Sequence, residues 1–177
     1  MPFYRYGLTI MVNNIIKSRF NEVDPAQLAT LTTGSPQRAL PNKVPLYPIE
    51  EVLGLISALQ SEDDEDDFFY FATDDSRVDW RKLTMRHDGV ILTKSGVTEE
   101  LRPRHFFEAA LSQAQFRKSE LCKTSRPYRW LACDVYVFDL EYWRPDLRQE
   151  FPVEVYLKFA LNENGSVAFI CSLHDDD

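Results

Sequence analysis

The sequence predicts an α+β fold in which an antiparallel β-meander at the C-terminus packs against two or more helices. Three observations lead there. YRWLACDVYVFDLEYW (128–143) is rich in aromatic and β-branched residues and poor in helix formers. VEVYLKFAL (153–161) and SVAFICSLH (166–174) flank Asn162-Glu163-Asn164-Gly165, a strong hairpin turn. Upstream, apolar residues recur at helical rather than strand spacing.

Taken in order, Asp24-Pro25 reads as an N-cap and first helical position, opening a short helix over residues 25–32. Gly34, Pro36, Pro41, Pro45 and Pro48 then punctuate a loop or extended arm wrapping the domain. Residues 1–47 are therefore an N-terminal elaboration, and 48–177 form the α+β domain. PIEEVLGLISALQ (48–60) places Ile49, Val52, Leu53, Ile56 and Leu59 on one helical face. SEDDEDD (61–67) reads as an acidic, solvated loop. FFYFA (68–72) is a buried strand, and VILT (90–93), after the turn His87-Asp88-Gly89, is another. The carboxylates at 74, 75 and 79 in DDSRVDW read as loop charges. Helical patterning returns near Pro103 with Phe106, Phe107, Ala110 and Leu111. Ser112 and Gln115 fit a capping box that starts a second short helix over 113–123.

Composition narrows the function classes. The chain has 177 residues, 44% of them hydrophobic, enough for one domain with a core that needs no metal or disulfide staples. No apolar run approaches the roughly 20 residues that cross a bilayer. The formal charge of −8 comes from six acids in 61–67 and three in Asp175-Asp176-Asp177; the remainder holds 19 acids against 20 bases. Such a balance argues against tight nonspecific nucleic-acid binding but leaves room for a local basic site. The N-terminus lacks a hydrophobic signal region, so the expected compartment is the cytoplasm, where thiols stay reduced. Cys122, Cys133 and Cys171 form no CxxC and show no metal-ligand spacing with His87, His105 or His174, so neither metal nor cofactor is expected.

Between 117 and 129 the chain carries five bases (Arg117, Lys118, Lys123, Arg126 and Arg129) and one acid, Glu120, with Tyr128 and Trp130 beside them. Basic residues next to aromatics suit single-stranded RNA, held by phosphate contacts and base stacking. The plainer reading is a solvated helix face beside core aromatics.

ALSQAQFRKSE, followed by ACDVYVF, VEVYLKF, a turn and VAFICSLH, resembles the motility quorum-sensing regulator (MqsR) family of mRNA-interferase toxins. That family shares the RelE-like fold, and the resemblance covers residues 88–174. Its active-site positions fall on Lys118 in FRKS, Cys133 where the family carries glutamine, Tyr156 in VYLK, and His174 where the family carries lysine. The resemblance implies a metal-independent endoribonuclease cleaving single-stranded mRNA, with a protein antitoxin as partner. In that chemistry the ribose 2′-OH attacks the adjacent phosphorus, so a base, cationic stabilisation and an acid are needed. His174 suits the proton transfer, because an imidazole ordinarily titrates near about 6.5. Lys118 would supply charge to the transition state, and Tyr156 would donate a hydrogen bond to a phosphate oxygen. Against these stand structural readings: a strand-end histidine bonded to acidic neighbours, and a half-buried packing tyrosine. Cys133 is expected to be buried and inert, since a thiol cannot imitate an amide. The alternative function is a noncatalytic, acidic binding module (an immunity, antitoxin-like or regulatory protein) engaging a basic partner on a similar scaffold.

Overall fold

The computed structural model describes residues 38–86, 90–92, 98–100, 102–125, 130–144, 149–162 and 164–175. The expected helix over 25–32, the turn at 87–89, and Arg126, Tyr128 and Arg129 lie outside them.

Helix α1 (Ile49–Ser57) starts after Pro48, with Glu50 and Glu51 in its first turn, where carboxylates complement the helix dipole. It buries Val52 and Ile56. Residues 62–68 are a helix, α2 (Glu62–Phe68), not the expected acidic loop. The reason is local: the Ser61 hydroxyl accepts from the Asp64 N–H, and Asp64 accepts from the Ser61 N–H. Arg102 also bridges Glu62 (3.0 Å) and the buried Glu65 (3.6 Å), offsetting repulsion among the acids. Strand β1 (Phe69–Phe71) follows directly. The DDSRVDW carboxylates are likewise helical rather than loop charges, opening α3 (Asp74–Arg86). Thr73 and Ser76 exchange side-chain-to-backbone hydrogen bonds at its start. Strands β2 (Val90–Leu92) and β3 (Thr98–Glu100) form a small antiparallel pair.

Helix α4 (Pro103–Gln113) has Pro at its first position and buries Phe106, Phe107, Ala110 and Leu111, the four residues its periodicity singled out. The second helix expected at 113–123 is instead strand β4 (Gln115–Lys123). Its Arg, Lys, Glu and Leu favour a helix locally, but pairing with β5 (Trp130–Arg144) from Gln115↔Val137 to Lys123↔Trp130 overrides that preference. The expected meander is present as β5, β6 (Gln149–Leu161) and β7 (Ala168–Asp175). The five-stranded sheet has order β1-β7-β6-β5-β4, antiparallel except for the parallel β1–β7 edge.

The β6–β7 turn is tied by Asn162, whose Oδ1 accepts from the Ser166 and Val167 amides. Gly165 takes φ +68°, a region that costs residues with a Cβ.

One face of the sheet meets the helices through aromatic packing. Trp80 of α3 stacks on Phe71 (5.4 Å), Phe69 stacks on Phe107 (4.8 Å), and Phe106 meets Phe138 edge-on (5.8 Å). The segment before α1 crosses the β4 edge, where the Leu40 N–H donates to the Ser119 carbonyl (2.9 Å) and Ala39 bridges Glu120. It then buries Leu46 and Tyr47, the Tyr47 ring lying 6.0 Å from that of Phe159. Among the described residues, no helix is long and apolar enough to cross a membrane.

Candidate functional site

Alternation along β4–β7 sets the chemistry on the sheet face opposite the helices. Phe138, Tyr136, Leu157 and Phe159 point toward the helical core. Their neighbours in sequence, Val135, Tyr156 and Lys158, share the other face with Lys118 and Glu120 of β4 and with Ser172 and His174 of β7. Lys118, Val135, Lys158 and Ser172 form one row across four strands; Tyr156 and His174 are paired in the next.

Glu120 is the hub. Its Oε2 accepts from Lys118 Nζ at 2.7 Å, and its Oε1 from Lys158 Nζ at 2.5 Å; Arg38 Nη2 lies 3.8 Å from Oε1. Burial pushes the Glu120 carboxyl upward, but the lysine hydrogen bonds outweigh it, so the net pKa is lowered and Glu120 is ionised. Burial alone would discharge Lys158. Glu120 more than compensates, raising the pKa and keeping the ammonium charged although the residue is only 9% exposed. Arg38 is fixed on a second side by its Nε–H, which donates to the Leu121 carbonyl (2.7 Å), and its guanidinium lies over the Trp130 ring.

Lys158 leads on to the aromatic pair. Its ammonium is 5.7 Å from the centroid of the Tyr156 ring, which stacks on His174 at 4.9 Å. Burial raises the Tyr156 pKa against the opposing pull of Lys158, so the phenol is a hydrogen-bond donor at neutral pH. Ser172 Oγ lies 3.0 Å from His174 Nδ1, which fixes the imidazole and leaves Nε2 for a substrate proton. The face thus combines an imidazole, a protonated phenol and three cations around one carboxylate. Such a set can bind a phosphate and move a proton beside it.

Lys118, Tyr156 and His174, expected as catalytic from sequence, therefore share one face, linked through Glu120 and Lys158. Lys118 reaches it from a strand, not from the helical turn expected for FRKS. Arg117 is the unpaired residue of a bulge between Phe116 and Lys118, and both it and Lys123 are exposed. Arg126 and Arg129 lie outside the described residues. Sequence reasoning missed Arg38, Lys158 and the role of Glu120. Alternation in QFRKSELCK and VEVYLKFAL would have found the last two had 113–123 been read as a strand.

The three thiols were missed as a group. Cys122 of β4, Cys133 of β5 and Cys171 of β7 have their sulfurs within 4.8 Å of one another, all buried. The Cys133 Sγ–H reaches Cys171 Sγ at 3.5 Å. Cys171 is the extra residue of a β-bulge between Lys158↔Ser172 and Phe159↔Ile170. The fully buried Ala160 is the β6 residue next to the Asp134↔Phe159 pair, and its small side chain lets sulfurs from β5 and β7 meet across β6. Hydrogen bonds from the Cys133 and Cys171 thiols, aided by Lys158 and Arg38, hold the Cys122 thiol well below the usual thiol range. Burial pushes the Cys133 thiol up, and the neighbouring Cys122 pushes up that of Cys171. The trio thus gives up one proton readily and holds the other two. Cys133 is buried as expected, but it belongs to the one three-ligand cluster found among the described residues.

No family model, curated protein or solved structure matches the chain.

Proposed function

We propose that the protein is a metal-independent endoribonuclease of the mRNA-interferase type, cleaving single-stranded RNA through 2′-OH attack and restrained by a protein antitoxin. The observation that carries this reading is the stacked Tyr156–His174 pair sharing a sheet face with Lys118 and Lys158 around an ionised Glu120. His174 Nε2 takes the 2′-hydroxyl proton while Ser172 holds the ring at Nδ1. As the 2′,3′-cyclic phosphate closes, the P–O5′ bond breaks and the imidazolium passes its proton to the leaving 5′-oxygen. Lys118 and Lys158 stabilise the charge that builds on the phosphorane, and Tyr156 donates to a non-bridging oxygen. Glu120 is a positioning residue: its lowered pKa makes it a poor base but a firm anchor for both ammonium groups. Arg117, exposed at the β4 bulge, adds positive charge for holding RNA, and Lys123, Arg126 and Arg129 complete the proposed RNA-binding set. DNA lacks the nucleophile and is not cut. The reading keeps the motility quorum-sensing regulator resemblance, a RelE-like topology for the sheet, and a cytoplasmic location.

A second reading has its own observation. Glu62, Asp63, Asp64, Asp66 and Asp67 are exposed on the capped helix α2, a rigid acidic surface suited to a basic protein partner. Incubating the purified protein and its His174→Ala variant with a long mRNA in excess EDTA separates the two. Cleavage by the wild type alone, leaving 2′,3′-cyclic phosphate ends, is the expected result. Intact RNA in both tubes refutes the nuclease and leaves the binding module.

A further inference from the structure

We infer that Cys122, Cys133 and Cys171 form a three-coordinate thiolate site for a soft monovalent cation, Cu(I), built into the sheet beside the Glu120 cluster. This inference is independent of the nuclease reading.

Geometry is the first argument. With the Cys133 and Cys171 sulfurs 3.5 Å apart and all three within 4.8 Å, a point equidistant from them lies at most about 2.6 Å from each, against a metal–thiolate bond of about 2.3 Å. A contraction of a few tenths of an ångström completes the coordination, with no change in strand register.

Ligand type and number are the second. Among the described residues the cluster holds three thiols and no carboxylate or imidazole, a set that selects a soft ion. A structural zinc would take a fourth ligand. The nearby carboxylate, Glu120, is already committed to Lys118, Lys158 and Arg38.

Charge is the third argument, and it discriminates between ions. Arg38, Lys118 and Lys158 against Glu120 leave this buried or half-buried cluster at +2. Three thiolates with one Cu(I) carry −2, so the loaded ensemble is neutral. The same thiolates with Zn(II) carry −1 and leave the ensemble at +1, so of the two ions Cu(I) is the one that neutralises the cluster around the enclosed Lys158. On binding, the trio releases its remaining thiol protons to solvent and no electron changes hands.

The test uses the reduced full-length protein, titrated without oxygen against Cu(I) in bicinchoninate and, separately, against Zn(II) in a chromophoric chelator. We expect one Cu(I) per chain to be withheld from bicinchoninate, with three sulfur neighbours in its X-ray absorption spectrum. Cys133→Ser and Cys171→Ser, checked for folding by circular dichroism, should each weaken retention by about 100-fold or more, because a hydroxyl is a hard, poor ligand for this ion. Lys158→Met removes one positive charge and should move the preference toward Zn(II); this result stands even if the serine variants do not fold. Complete transfer of copper from the wild type to bicinchoninate overturns the inference. So does undiminished retention by a folded serine variant, or an unchanged Cu(I)/Zn(II) preference in Lys158→Met.

Discussion

Replacing Glu120 with glutamine removes the carboxylate that Lys118, Lys158 and Arg38 share. The side chain is 12% exposed and that of Lys158 11%, so neither recovers full hydration when the pair is broken. Lys118, with its side chain 49% exposed, can swing into water, and Arg38 keeps its bond to the Leu121 carbonyl. The loss falls mainly on Lys158. Breaking a buried pair from one side costs about 3–5 kcal/mol, and the retained amide oxygen offsets part of it, so we expect about 3 kcal/mol. For a chain of this size that corresponds to a Tm lower by roughly 6–12 °C.

The pH dependence sharpens the test. The folded-state pKa of Glu120 is depressed below its unfolded value, so its contribution is fully present above the usual glutamate range. It is lost as pH falls through the lowered folded value. Urea unfolding of wild type and Glu120→Gln should therefore differ by the full amount at pH 7 and converge as the pH falls below about 4. A difference under about 0.5 kcal/mol at pH 7, or one that stays constant down to pH 3, would refute the view of Glu120 as the hub.

Two further outcomes follow from local structure. Ser61→Ala deletes half of the capping box of α2 and should cost about 1 kcal/mol, read as a lower urea midpoint with an unchanged slope. Gly165→Ala forces φ +68° on a residue with a Cβ and sets that atom 3.1 Å from Leu55 Cδ1. It should lower stability by about 1–2 kcal/mol, and a thermal melt unchanged within error would contradict the strain assigned to this turn.

Some of this protein was legible in its residues. β5, β6 and β7 were readable because aromatic and β-branched runs separated by a turn sequence have no helical alternative. α1 and α4 were readable because their apolar residues recur at helical spacing next to a proline. Other elements answered to context. Residues 115–123 carry helix-forming side chains and a plausible cap, yet they form β4, because a free sheet edge at β5 offers a full ladder of hydrogen bonds. Reading that strand as a helix hid the candidate site, since it put Lys118 and Glu120 on the wrong geometry for meeting Lys158.

The types of groups at the site were visible in the sequence: a histidine, a tyrosine, basic residues and three unpaired cysteines. Their meeting was decided by tertiary structure alone. Lys118 and Lys158 are 40 positions apart and join only because β4 and β6 flank β5 in a particular register. Cys133 and Cys171 are 38 apart and meet only because a bulge in β7 adds one residue at the right place. A one-residue slip in either ladder would turn these side chains to the opposite face, and register across non-adjacent strands leaves no local mark in a sequence.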